Sequence, residues 1–109
     1  MKSTLMPVLI IATLFCATPL FAADAAAGKD VFLKKCATCH GQNGEGKAAL
    51  AKALKVEFRH LGSREVQAKS DAELKKITLE GTGKMKPVRE FDPKTADDVL
   101  AFLRTLEKK

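Results

Sequence analysis

Tryptophan and tyrosine are absent from this 109-residue chain, and its only aromatic rings are six phenylalanines. No lysine–arginine tract interleaves with those rings, which argues against a nucleic-acid-binding surface. Proline is sparse, and none falls between Pro19 and Pro87. No segment alternates apolar and polar residues as a half-buried strand does, so sheet architectures are excluded and the expected class is all-α. Cysteine occurs three times. Cys16 lies in the N-terminal apolar run, which leaves one pair, Cys36 and Cys39.

That N-terminal run is the first positive signal. Met1 and Lys2 precede an uncharged stretch from Ser3 to Ala23, rich in Leu, Ile, Val and Phe and closing on Pro19-Leu20-Phe21-Ala22-Ala23. A basic start, an apolar centre and small residues at the exit predict a secretory signal peptide, 1–22, with Ala23 or Ala25 as alternative cleavage positions. The run would also suit an uncleaved anchor, at about 20 residues, but Pro19, the small residues and Asp24 favour processing and no stable membrane anchor. Phe15 before Cys16 does not resemble a lipoprotein site, so Cys16 is discarded with the leader. Cleavage leaves roughly 87 residues, a single domain 23–109. A core that small usually needs a staple or a cofactor. The formal charge of +6 falls by one with Lys2, and a dispersed basic surface fits docking onto acidic proteins.

The second signal is Cys36-Ala37-Thr38-Cys39-His40. Two thiols two residues apart, followed at once by histidine, form the C-x-x-C-H pattern of covalent c-type haem attachment. A single disulfide or a thiol-oxidoreductase site are other uses of such a pair. A redox C-x-x-C normally follows a strand in a βαβ unit, whereas this one sits late in a helical stretch. Cys36 and Cys39 are therefore expected to carry thioethers and His40 to ligate the iron.

Four helical segments are expected along the mature chain. The first runs from Ala25 to Cys39, and Gly41-Gln42-Asn43-Gly44-Glu45-Gly46 follows it as a turn. Lys47–Lys55 forms a short helix, while Val56–Lys69 reads as polar and irregular. Ser70-Asp71-Ala72-Glu73 is a capping box in which Glu73 returns the bond of Ser70, and Gly81 stops that helix. Residues 81–87 form an extended loop. The last helix starts near Thr95, with Asp97 and Asp98 complementing its dipole and Val99, Phe102, Leu103 and Leu106 as its buried stripe.

The iron's second axial position has three candidate outcomes: Met85, His60 or no ligand. Met85 is the only methionine left after leader removal and sits in a glycine- and proline-flanked loop, so it is preferred. His60, in a polar stretch, is the runner-up. A thioether favours ferrous iron and raises the reduction potential relative to a second imidazole.

These pieces together resemble the small single-domain bacterial class I cytochromes c, over essentially the whole mature sequence. The matching residues are Gly28-x-x-x-Phe32, the Cys36–His40 motif, Ser70-Asp71-Ala72-Glu73-Leu74, Gly81-x-Gly83-x-Met85 and Asp98-Val99-Leu100-Ala101-Phe102-Leu103. The resemblance implies about four short helices around one haem c, with the terminal helices crossing, Gly28 permitting close approach and Phe32 packing on Phe102. It also implies His40/Met85 ligation, a partly exposed haem edge and periplasmic electron shuttling. An electron carrier rather than an enzyme is expected. The alternatives are a haem-bearing subunit of a larger redox complex, a haem peroxidase or a ligand sensor.

The chain departs from the family pattern in three places. Lys86 separates Met85 from Pro87, where proline often follows the ligand directly. The proline whose carbonyl accepts the ring N–H of the proximal histidine is missing, so a carbonyl in Lys55–Phe58 is expected to serve. Without Trp or Tyr, Arg59 or Arg64 would bind a haem propionate.

Overall fold

The computed structural model describes residues 11–12 and 23–108. The expected leader therefore lies almost wholly outside the described residues. Six helices follow: α1 Ala25–Lys35, α2 Ala37–His40, α3 Ala48–Leu54, α4 Arg64–Gln67, α5 Asp71–Glu80 and α6 Pro93–Thr105. Among the described residues the only bridge pairing is the isolated one between Thr82 and Met85, so the architecture is all-α as expected.

Local chemistry explains most boundaries. Asp24 starts α1 by accepting from the Ala26 and Ala27 N–H groups at 3.0 and 3.1 Å, and Lys34 and Lys35 complement its C-terminal dipole. The expected helix Ala25–Cys39 is instead two helices, because the chain bends at Cys36 (φ −113°, ψ −34°). α4 lies inside the stretch expected to be irregular. At four residues it is too short to show a helical period, and Ser63 caps it through the Val66 N–H.

α5 begins at Ser70 and ends at Gly81 as expected, but only half of the capping box forms. Ser70 Oγ accepts the Glu73 N–H at 3.1 Å, while the Glu73 carboxylate turns to Lys69 at 3.5 Å. α6 starts two residues before Thr95, since Asp92 accepts the Thr95 N–H at 2.7 Å and Pro93 occupies the first turn. Neither Asp97 nor Asp98 serves chiefly to complement the α6 dipole. Asp97 pairs with Lys75, and the buried Asp98 carboxylate takes the Asp24 N–H at 2.8 Å and Lys94 Nζ at 2.9 Å. The Asp24 N–H, then Lys94, hold the Asp98 carboxyl below the ordinary range.

The core is the crossing of α1 and α6. Phe32, 1% exposed, meets Phe102 with ring centroids 5.1 Å apart, and Val99, Leu100 and Leu103 complete the α6 side. Leu74 of α5, Val66 of α4 and Phe91 join the same cluster. Gly28 sets the crossing distance. A Cβ placed there would lie 1.8 Å from the Asp98 carbonyl oxygen, so any larger residue must push two helix backbones apart. Gly28→Ala is expected to cost about 3 kcal/mol, the upper part of the overpacking range. A urea titration should show a lower midpoint at unchanged slope, and an unmoved midpoint would mean that the helices do not meet at Gly28.

Arg104 ties this pair to the rest. Its guanidinium donates to the Gln67 carbonyl at 2.8 Å, the Lys69 carbonyl at 2.7 Å and Asp71 Oδ1 at 2.7 Å. Gln67 Nε2 in turn donates to the Leu61 and Leu103 carbonyls. α4 and the start of α5 are thereby fastened to α6.

Candidate functional site

The turn after the bend carries three chemistry-bearing groups together. His40 N–H bonds the Cys36 carbonyl at 3.0 Å and Cys39 N–H bonds the same oxygen at 3.2 Å, so both thiols and the imidazole ride on one tight turn. Both thiols are unpaired and half-buried. Burial, and then the neighbouring Cys39, push the Cys36 thiol up to about 11. A redox dithiol needs the opposite shift, towards thiolate at neutral pH. Cys36 is therefore held as the neutral thiol.

The loop after α2 holds that turn in place. The Gly46 N–H bonds the His40 carbonyl at 2.6 Å and the Lys47 N–H bonds the Cys39 carbonyl at 3.0 Å. The Leu61 N–H then bonds the Gly44 carbonyl at 2.9 Å, bringing the 56–62 segment alongside. The Phe58 ring reaches His40 with centroids 5.7 Å apart and planes tilted by 57°.

Burial lowers the His40 pKa, which favours the neutral imidazole that a metal requires. Among the described residues, His40 Nδ1 is the one buried side-chain nitrogen or oxygen without a hydrogen-bond partner. The acceptor expected from Lys55–Phe58 is therefore not supplied. The left-handed Lys55 (φ 54°) ends α3 and redirects the chain. Phe58 then turns its ring towards His40, and its backbone packs over Gly46.

Met85 lies on the loop between α5 and α6, and its conformation is a tight turn rather than the extended one expected. Thr82 and Met85 exchange backbone bonds of 3.0 and 2.9 Å, and Val88 N–H returns to the Thr78 carbonyl at 3.1 Å. Gly81 is required there: its φ is +77°, and a Cβ would lie 2.5 Å from the Met85 carbonyl oxygen and 2.8 Å from Pro87 N. Pro87 thus braces the turn although Lys86 separates it from Met85. The backbone bonds of Met85 stay within this loop, so Cys36, Cys39 and His40 share one turn and Met85 is carried on another.

The other candidates are partly committed elsewhere. His60 Nδ1 accepts the Gly62 N–H at 2.9 Å. Arg59 is ion-paired with Glu65, and Arg64 is exposed at the start of α4. Phe58, whose ring packs at a tilt beside that of His40, carries no signal in the sequence because it sits in a stretch without periodicity.

Residues 23–103 match the family model described as cytochrome c oxidase, cbb3-type, subunit III. The chain belongs to this cytochrome c family. A solved structure, the KustC0563 c-type cytochrome, is similar at TM-score 0.65 and 28% identity, over 74% of this chain and 98% of that one. The protein is a small class I cytochrome c whose cofactor is covalently bound haem c and whose chemistry is haem-based electron transfer. The site fits that group: two free thiols beside a neutral, half-buried imidazole on one turn. Proteins of this class act with redox partners or within complexes and are typically exported. Among the described residues no helix is long and apolar enough to cross a membrane.

Proposed function

We propose that the protein is a diffusible periplasmic electron carrier. Cys36 and Cys39 form the thioethers, His40 Nε2 is one axial ligand and Met85 Sδ the other. When bound, the haem supplies a single iron that cycles between ferric and ferrous states. The observation that carries the reading is the Cys36–His40 turn, with two free thiols and a neutral imidazole presented together. The braced Met85 turn supports the second ligand, since a rigid platform limits the entropy lost on coordination. Two protein ligands leave the iron no open position for substrate, and His60 as the one further imidazole already has a nitrogen committed. This favours a carrier over a peroxidase or a sensor. Export rests on the leader-like 1–22 segment, and the family match begins directly after it.

A second reading is a haem-bearing subunit of a larger complex, favoured by the description of the matching family model. The deciding experiment is fractionation of native cells. A carrier elutes from the soluble periplasmic fraction as a monomer of processed mass plus one haem, which survives acid–acetone extraction. Recovery only in a membrane complex would establish the subunit reading, and a mass without haem would reject both.

Docking is expected to be electrostatic. Lys34, Lys84 and Lys86 are exposed beside the attachment helix and on the Met85 turn, while Lys35 already meets Glu90 at 3.8 Å. With an acidic partner the bimolecular oxidation rate should fall several-fold between low and physiological salt, as screening shortens to about 8 Å. A rate independent of ionic strength would remove these lysines from the interface.

A further inference from the structure

We infer that export processing cuts the chain between Ala22 and Ala23, and that the buried Asp98 carboxylate of α6 is the seat for the amino terminus so created. The inference rests on the export reading above and adds the place of the cut and the receptor for the new end. Sequence leaves the position open, since Ala23-Asp24-Ala25 fits the small-x-small pattern that would put the cut after Ala25. The folded domain separates the alternatives. The Asp24 N–H donates to Asp98 Oδ1 at 2.8 Å, and the Asp24 carboxylate caps α1 through the Ala26 and Ala27 N–H groups. Asp98 is 6% exposed, with Lys94 Nζ on its other oxygen at 2.9 Å. It meets α1 twice, because its carbonyl is also the group that a Cβ on Gly28 would strike. A cut after Ala25 removes the cap of α1 and leaves a buried carboxylate short of a donor, which is costly.

The step itself is hydrolysis by a leader peptidase. The Ala22–Ala23 amide bond breaks, water gives its oxygen to the Ala22 carboxylate, and Ala23 keeps an amine whose ordinary pKa of about 8 leaves it protonated at neutral pH. Ala23 lines a cavity of about 280 Å³ with Asp71, Lys94, Asp97, Asp98 and Arg104. The charged groups around that end are five carboxylates, Asp24, Asp71, Asp92, Asp97 and Asp98, and three cations, Lys75, Lys94 and Arg104. An ammonium at Ala23 thus enters a net negative setting. A cation ahead of α1 opposes the helix dipole, and the Asp24 and Asp98 carboxylates offset it. A cut after Ala23 would instead turn the nitrogen held by Asp98 into a second cation beside Lys94. The cut after Ala22 keeps a neutral N–H on Asp98 and places the charge one residue out, in the cavity.

The test uses holoprotein exported from the full-length precursor. Intact mass and amino-terminal sequencing should show a chain that starts at Ala23. A start at Asp24 or Ala26 would overturn the inference while leaving export intact, whereas an uncut chain would overturn the export reading with it. The seat is read separately. Asp98→Asn keeps an acceptor oxygen for the Asp24 N–H but removes the negative charge near the Ala23 amine. Acylation of that amine at pH 7 should be several-fold slower in the wild type than in Asp98→Asn, with the lysines as internal reference, and equal rates would overturn the seat. Two measurements need no variant. The Ala23 amine of the wild type should titrate above its ordinary value of about 8, and the Asp24 amide should exchange at least tenfold more slowly than an unstructured amide. An amine titrating at or below the ordinary value, or an unprotected Asp24 amide, would also overturn it.

Discussion

Replacing Met85 with alanine is expected to lower the reduction potential on the order of 0.2 V, a fraction of the roughly 0.8 V over which axial ligands spread haem proteins. The thioether stabilises ferrous iron, and its loss removes that preference. Two spectroscopic signals should vanish together: the weak charge-transfer band of ferric thioether ligation at the red end of the visible spectrum, and the strongly ring-shifted methyl protons of the ferrous state. Carbon monoxide, which the wild type should resist, should then bind. Met85→His should keep the iron six-coordinate yet still lower the potential. His60→Ala is the control and should change none of these signals. A spectrum indifferent to Met85→Ala but altered by His60→Ala would make the protein a low-potential bis-histidine carrier. The braced turn makes a sharp result attainable, because its backbone bonds between Thr82 and Met85 do not depend on the side chain being replaced.

Removing both attachment thiols, Cys36→Ala with Cys39→Ala, should have the other large effect. The side-chain core is the α1–α6 crossing with Ala37 of α2, Val66 of α4, Leu74 of α5 and Phe91 added, and α3 contributes no buried residue. So small a core leaves much of the folding free energy to burial of the porphyrin. Without thioethers the recovered protein should drop at least several-fold, since even 1–2 kcal/mol changes cellular abundance by that much. The haem-free chain should show collapsed amide dispersion by NMR. Well-dispersed amide signals from the haem-free chain would show that the helices suffice alone. Single replacements should retain one thioether and fall between these limits.

The residues that bear chemistry were legible because their signal is local. Cys36, Cys39 and His40 lie within five positions, and a covalent attachment motif is defined by spacing along one turn rather than by what packs around it. The all-α class was equally legible, since a 3.6-residue stripe such as Val99, Phe102, Leu103 and Leu106 is a property of the chain itself. So was the Gly28 crossing, through a resemblance carried by glycine and phenylalanine four residues apart. The break at Cys36, the four-residue α4 and the start of α6 at Pro93 were not, because helix ends are decided by caps and by neighbours in space.

Tertiary structure alone decided what surrounds the imidazole. Whether Nδ1 finds an acceptor depends on how the 56–62 segment returns beside the turn, fastened by Leu61 to Gly44 over a separation no periodicity spans. The same holds for Asp98, which reads as a dipole-complementing carboxylate in sequence and becomes a buried acceptor for Asp24 once α1 crosses α6. Sequence by itself determined which groups can bind and ligate, because bonding capacity belongs to residue types at fixed spacing. Folding decided how strongly they do so, because donor strength, burial and charge depend on neighbours that only the folded chain brings together.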